Sequence, residues 1–499
     1  MDASARIGCL PNTRHDILNL VFDWLKDPNS KEDTLWLHGL AGSGKSTIST
    51  TIANILRGSG HLGAFLFFDR DVAERSDPSI VIRTLAYQLG KSDPDIGNVI
   101  RTAIARDPNI SLAPTSHQFE TLIAKTFAPP LSTHRPTPTA MSAVIVMDAL
   151  DECGTADKRK ALLSALTERS GIAPLSIRTV VTSRAEPDIR DAFGARTHVR
   201  TLELDTTGQY NSDDIMLYFQ HRLMLIRQKK RHLQLSLNWP GEEIIEKLVR
   251  QASGLFVWAA TACEFIDKYD PEKRLQMILG GQPIAGAEAA LDELYKTALE
   301  SVGSWDDEDF VADFRSILGV ILIARQPLSC ASIDQLLCLP QQRSSMHTVS
   351  LLSCLLQQGP TVRPLHPSLT DYLSNESRCL RDIWFFEKSL GHHLIAIRCF
   401  ERLEAVLTMN ICNLTLCSRS QFYAKLSDDV TYACLFWIEH TCNSRNVVDL
   451  VMIYMAPFLQ KHLLHWLEAL SILRRSRDAV SLLGQLLDCL MVGLQHNLH

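Results

Sequence analysis

Gly39, Gly44, Lys45 and Ser46 stand in the stretch TLWLHGLAGSGKSTISTTIA, residues 34–53, at the spacing G-x-x-x-x-G-K-S, with Gly42, Ser43 and Thr47 between and after them. This spacing suits the cradling of phosphates. Glycines let successive backbone N–H groups turn inward around an anion, through torsions and close approaches that a side chain would block. A helix starting near Lys45 would aim its N-terminal dipole at the same anion, while Lys45 reaches the β- and γ-phosphates and Ser46 ligates magnesium. Gly39, Gly42, Ser43, Gly44, Lys45, Ser46 and Thr47 are the candidate phosphate-binding residues, with Thr47 supporting the turn. The plainer alternative is a chance glycine turn between a strand and a helix.

A second group of chemical residues follows an apolar run, AVIVM at 143–147, which ends on Asp148 in DALDEC. A carboxylate at the end of such a strand stands beside the phosphate loop, where nucleotide-bound magnesium needs a protein anchor, so Asp148 is the candidate metal-side acid. Asp151 and Glu152 are placed to orient or polarise a water aimed at the γ-phosphate. Glu152 is the favoured base, and Asp151 alternatively binds the metal through water. Acids after a strand also occur simply as a solvated strand end. RTVVTSR, residues 178–184, is another apolar strand, and it brings Arg184 to the same edge to touch the γ-phosphate; its structural alternative is a surface pair with Glu186 or Asp188.

The elements that must position these groups alternate. Apolar residues at helical spacing over 13–26 lead into a strand at 34–37, and 64–68 reads as a second strand, 78–89 as a helix, and 143–147, 178–184 and 197–204 as further strands. Strand and helix in alternation predict an α/β fold, a parallel sheet sandwiched by helices. The proline-rich segment 129–140 is expected to be an exposed loop. From about residue 213 the pattern is helical, through 256–266 and 287–302. Ser304 and Asp307 suggest a capping box before the helix carrying Phe310, Phe314 and Ile317, which Pro327 stops. Residues 329–373 read as two short helices, a strand at 361–365 and a helix opened by Pro367, a winged-helix-like unit. The chain is helical again from about 382, and its His392-His393 pair is read as structural. The expected domains are a helical lead-in at 1–30, the P-loop NTPase domain at 31–205, a small helical domain at 206–303, a winged-helix-like domain at 304–382 and a C-terminal helical domain at 383–499.

Composition narrows the partners. With 499 residues, 46% hydrophobic and 21% charged, the chain buries ordinary cores, and a net charge of −6 gives no global pull toward nucleic acid or anionic membrane. Thirteen cysteines without metal spacing suit reduced thiols better than a disulfide framework. The first ten residues, MDASARIGCL, lack the features of a signal peptide, and the longest apolar run, 317–324, is too short to span a bilayer. A soluble cytoplasmic protein is expected, with no membrane or nucleic-acid partner. The basic cluster Arg227, Lys229, Lys230 and Arg231 reads as a solvated helix face.

Taken together, GLAGSGKST, VIVMDALDEC and VVTSRAEPDI resemble the phosphate loop, magnesium strand and sensor strand of NACHT-type NTPases of the STAND class, the NOD-like receptor type, especially the large fungal ones. SGLFVWAA at 253–260 is similar to that family's small helical domain, and LGVILIARQPLS and LHPSLTDYL to its winged helix. The resemblance implies ATP/ADP and Mg2+ as cofactors, and His366 as a winged-helix histidine that touches the β-phosphate of bound diphosphate; on the residues alone, a histidine before proline is an ordinary turn residue. It also implies a switch that is closed with ADP and open with ATP, slow hydrolysis, self-oligomerisation on activation, an unknown protein partner, and a role in fungal self/non-self recognition or cell-death signalling. Relatives commonly carry an effector domain before the NTPase and a repeat array after the helices, and neither is expected in this sequence. Two other readings stay open: a scaffold with a structural nucleotide, and an ATPase or phosphotransferase with steady turnover.

Overall fold

The computed structural model describes residues 6–127, 143–167, 177–194, 196–280, 286–302, 305–379, 381–412, 426–445 and 447–496. The chain forms two compact units, Met1–Leu291 and Asp292–His499.

The first unit is built on five parallel strands: β1 (Thr34–His38), β2 (Leu62–Phe67), β3 (Val144–Asp148), β4 (Arg178–Ser183) and β5 (Val199–Glu203), ordered β2-β3-β4-β1-β5. Alternate side chains of each strand enter opposite cores, as a sheet covered on both faces requires. Leu35, Leu37, Val144, Val146 and Val180 pack with Val21 and Trp24 of α1 (His15–Lys26) and with Ile48 and Ile52 of α2 (Lys45–Gly58). Trp36, Ile145, Met147 and Val181 enter the other core. That core receives Leu85 and Leu89 of α3 (Val81–Ser92) and Ile100 of α4 (Pro94–Arg106). It also holds Phe119 of α5 (Thr115–Phe119), Leu162 of α6 (Ala156–Thr167) and Phe193 of α7 (Pro187–Phe193). Fully burying a side chain such as Ile48 or Ile52 contributes about 2 kcal/mol. Pro94 opens α4 because its missing N–H is not needed there, and Asp93 caps the turn through the amides of Asp95 and Ile96. The proline-rich segment expected as a loop lies outside the described residues.

Four helices complete this unit: α8 (Gln209–Lys229), α9 (Glu242–Ala252), α10 (Phe256–Ile266) and α11 (Pro271–Leu279). Helix α10 is apolar almost all round, and eight of its eleven residues are buried. Helix α12 (Ala287–Glu300) crosses into the second unit.

The second unit continues with α13 (Glu308–Ile323), α14 (Cys330–Leu337), α15 (Ser345–Leu351), an antiparallel pair β6 (Leu356–Gln357) and β7 (Arg363–Pro364), and α16 (Pro367–Leu373). Leu328 bridges to Val362, so the hairpin acquires a third short edge. The expected capping box is replaced by one capping residue, because the Asp307 side chain accepts from the amides of Asp309 and Phe310; Ser304 is outside the described residues. The unit closes with α17 (Lys388–Val406), α18 (Asp428–Cys442), α19 (Val447–Leu450), α20 (Ala456–Ile472) and α21 (Asp478–His496). At their centre Phe458 and Trp466 meet Trp437 edge to face, and Phe400 meets it at a tilt. Among the described residues one continuous helical stretch, Val447–Ile472, is long and apolar enough to cross a membrane. The reading from consecutive apolar residues missed it because Gln460, Lys461 and His462 interrupt the run. One face of it packs into the unit through Met455, Phe458, Trp466 and Leu470.

Candidate functional site

The carboxyl ends of β1, β4 and β3 lie side by side, and β4 separates the loop strand from the acidic strand. Gly39, Arg184 and Asp148 therefore follow three neighbouring strand ends on one edge, where open parallel sheets bind ligands.

The loop after β1 turns through Gly42 and Gly44, with φ of +77° and +94°. A Cβ on Gly42 would stand 2.0 Å from Val257 Cγ1 of α10, and the Val257 N–H donates to the Gly42 carbonyl at 3.1 Å, so this position has space only for glycine. Helix α2 begins at Lys45 with Gly44 as its N-cap, and Thr47 Oγ1 donates to the Gly44 carbonyl at 2.7 Å. Ser46 sits in the first turn, where its carbonyl accepts from Thr50 Oγ1. The Ser43 hydroxyl is wholly buried without a hydrogen-bond partner.

The Lys45 side chain is 8% exposed, and its Nζ donates to the carbonyls of Gly39 at 2.8 Å and Leu40 at 2.7 Å. Burial pulls its pKa down to about 8, against the opposing pull of Asp151. Asp148 is fully buried: its Oδ1 accepts from Thr182 Oγ1 at 2.6 Å and its Oδ2 from Arg6 Nη1 at 2.7 Å. Ala149 then takes a left-handed conformation, φ +61°, and gives its N–H to Thr182 Oγ1, which turns the chain sharply into the segment 150–152.

The two following acids differ. Asp151 accepts from the Arg184 backbone N–H at 3.0 Å and lies 3.3 Å from Arg184 Nε, so it anchors this arginine. Glu152 accepts from the Arg70 N–H at 3.3 Å, and burial pushes its carboxyl up to about 8, with Arg70 pulling the other way. A carboxyl poised near neutral pH has the proton affinity that a general base requires. The sequence offered Glu186 and Asp188 as partners for Arg184; both are instead held by Arg159. This side chain is 1% exposed and donates Nε and Nη2 to Asp188, Nη2 to Glu186 at 2.8 Å, and Nη1 to the carbonyls of Asp151 at 2.9 Å and Gly154 at 3.2 Å. One guanidinium thus clamps the acidic turn to the segment after Arg184.

Arg14 does the same on the other side. Its Nη2 donates to the Ser43 carbonyl at 2.6 Å, its backbone N–H to Asp214 at 3.0 Å, and its guanidinium stacks 4.4 Å from the Phe256 ring centroid. It fastens the lead-in to both the loop and the helical bundle. Thr182, Arg159, Arg14 and Arg6 were all missed in the sequence. Only Thr182 left a trace there, as a polar residue ending an apolar strand.

His366 belongs to the second unit. It caps α16, its Nδ1 accepting from the Ser368 N–H at 3.1 Å, which leaves the proton on Nε2. Ser368 Oγ lies 2.7 Å from the same Nδ1 and 2.8 Å from the Tyr295 hydroxyl.

The donors at the sheet edge suit a phosphate chain and a divalent cation: glycine-rich backbone, a lysine, a hydroxyl at a helix start and a buried carboxylate that already carries a cation. No group of three or more His, Cys, Asp or Glu side chains among the described residues is placed to hold a metal ion. A cation here would take its remaining ligands from phosphate oxygens and water, as magnesium commonly does.

Residues 13–184 match the family model for the N-terminal part of nephrocystin 3. The vegetative incompatibility protein HET-E-1 of Podospora anserina is 24% identical over 489 residues, covering 91% of this chain. These likenesses support a P-loop NTPase of the NACHT/STAND kind. The chain spans about a third of the length of that relative, 34%. Among solved structures, it is similar to a signal transduction ATPase with numerous domains and a tetratricopeptide repeat sensor from Pyrococcus horikoshii, with a TM-score of 0.44 and 13% identity over 98% of this chain and 59% of the other. A RuvB variant from Thermotoga maritima gives a TM-score of 0.25 and 15% identity over 71% of this chain and 92% of its own.

Proposed function

We propose that this chain is a nucleotide-controlled signalling switch that binds ADP and ATP with Mg2+ and hydrolyses ATP slowly. The observation that carries this reading is that the charged groups aimed at nucleotide are each engaged by another protein group: Lys45 on the loop carbonyls, Asp148 on Arg6 and Asp151 on Arg184. Such self-engagement suits a resting state that a triphosphate must rearrange, and it opposes fast turnover.

In this reading Gly39, Gly42, Ser43, Gly44 and Thr47 shape the loop for the phosphates, and Lys45 transfers its ammonium from loop carbonyls to phosphate oxygens. Ser46 and Asp148 would hold the magnesium, which would supply neutralisation of the phosphate charge. Glu152 takes the proton of the attacking water, while Arg184, steadied by Asp151, meets the γ-phosphate. His366 offers an Nε2 proton, the donor that a β-phosphate oxygen accepts, and we assign it to sensing the diphosphate. The helices and hairpin of 304–382 fit a winged helix, and the finer division into 1–30, 31–205, 206–303, 304–382 and 383–499 is part of the proposal. The twelve described cysteines are all free, which fits a reducing cytoplasmic setting. The name of the 24%-identical relative supports a role in fungal incompatibility, and self-assembly is the output we assign to the switch.

Replacing Lys45 with Ala is expected to weaken ATP and ADP binding by about 100-fold, the loss of a charge-assisted contact to phosphate, read by titration with a fluorescent nucleotide. Unchanged affinity would sink the proposal. Exchange of bound diphosphate for a non-hydrolysable triphosphate is expected to enlarge the particle in light scattering, and turnover above roughly 1 per second would replace the switch with a working ATPase.

A further inference from the structure

Asp148 and Arg6 are separated by 142 residues, yet they form the ion pair at the centre of the sheet edge. We infer that the Asp148 carboxylate is a cation site with two alternative occupants, the Arg6 guanidinium and a nucleotide-bound divalent cation, so that metal loading displaces residues 6–9. The inference rests on reading Asp148 as the metal-side acid.

Asp148 has no exposed surface, and a buried carboxylate is tolerable only with a counter-charge. Its Oδ1 is committed to the Thr182 hydroxyl, which leaves Oδ2 as the oxygen that faces a cation. Arg6 holds that oxygen at 2.7 Å. A divalent ion brought to it meets a positive guanidinium at contact distance, so the two occupants exclude each other.

The neighbouring strand prepares the site for an arginine as well. Phe67 is the register partner of Asp148 on β2, and the Arg6 guanidinium stacks 4.6 Å from the centroid of its ring. Arg6 therefore bridges the ends of two strands with one side chain, by charge on β3 and by its planar face on β2.

The segment is held in a way that permits release. The Arg6 side chain is 29% exposed and Ile7 is 83% exposed, so neither belongs to the core. Beyond them the Cys9 N–H donates to Thr51 Oγ1 of α2 at 2.8 Å, and Gly8 passes so close that a Cβ would stand 2.9 Å from the same oxygen. The strap thus runs from the helix of the phosphate loop to the metal-side acid. By linkage, docked Arg6 weakens cation binding by the same factor by which a bound cation weakens the docking of Arg6.

The test measures Mn2+ binding to the full chain with ADP, by electron paramagnetic resonance of the free ion, in the wild type, Arg6→Gln and Asp148→Asn. Arg6→Gln is expected to bind Mn2+ about five- to tenfold more tightly, the change that follows when a competitor worth one charge-assisted hydrogen bond is removed. In the wild type, Mn2+ with ADP is expected to speed amide hydrogen exchange at residues 7–10, relative to ADP alone, while the amides of α1 are unaffected. Equal or weaker Mn2+ binding in Arg6→Gln, or exchange at residues 7–10 that ignores the metal, overturns the inference. If Asp148→Asn loses Mn2+ affinity while Arg6→Gln does not change it, the metal-side reading of Asp148 stands and the two-occupant site falls. If Asp148→Asn binds Mn2+ as the wild type does, the reading of Asp148 itself has failed.

Discussion

The two units bury ionisable groups in opposite ways. At the sheet edge of the first, Lys45 and Glu152 are drawn from their ordinary ranges to about 8, close to working pH, amid neighbours of both signs. In the helical core of the second, His440 has no exposed surface, its ring 2.8 Å from His392 Nδ1 and 2.6 Å from the Tyr432 hydroxyl. Burial drives His440 far below its usual range and His392 down to about 4. The first arrangement stores charge that an incoming anion or cation can rearrange. The second is a neutral hydrogen-bonded chain that holds α17 to α18 and, through the Arg325 N–H donated to the Tyr432 hydroxyl, to the segment after α13. Proximity of a pKa to working pH, rather than burial itself, separates the chemical region from the structural one.

The sharpest way to break this contrast is Glu152→Gln. It is expected to slow single-turnover ATP hydrolysis about a thousandfold, within the range of a lost general base, while ATP affinity holds; unchanged hydrolysis would move the base elsewhere. Arg159→Ala should destabilise the first unit by about 3 kcal/mol in urea unfolding, because it strips a buried cation from two carboxylates and two carbonyls. It should also slow hydrolysis by loosening the acidic turn against Arg184. His440→Leu should cost about 2 kcal/mol by removing the imidazole that bonds both the Tyr432 hydroxyl and His392, and nucleotide titration should show no change.

The effect of pH carries a sign. Glu152 is held above its ordinary 4.5, so the unfolded chain releases this proton first and the first unit loses stability as pH rises from 4.5 to 8. His392 is held below its ordinary 6.5, so the unfolded chain takes up this proton first and the second unit loses stability as pH falls from 6.5 to 4. Between pH 6.5 and 4.5 these contributions run in opposite directions, which hydrogen exchange resolved by unit will show. Glu152→Gln should remove the first trend and leave the second.

The sheet and the loop were legible because their signals are local. A strand buried on both faces is an apolar run, and a phosphate loop has fixed glycine spacing within a few residues. The clamps were not legible, because an arginine's partners are chosen by the fold: Arg159 meets carboxylates 27 and 29 residues later, and Arg6 an acid 142 residues later. Asp151 shows the same limit within a motif. Its position beside Glu152 suggested shared work on a water, and nothing local to the motif showed that β4 also brings the Arg184 backbone N–H within 3.0 Å of its carboxylate. His392 was read as structural from its apolar surroundings, and its partner His440 became visible only when α17 and α18 were packed.

Gly42 has a mechanical meaning beyond its torsion. With Val257 where a methyl group would be and a main-chain hydrogen bond joining the two residues, loop and α10 mesh like gear teeth without backlash. A displacement of the loop would carry the helix with it, so in the proposed switch α10 is the first element to move.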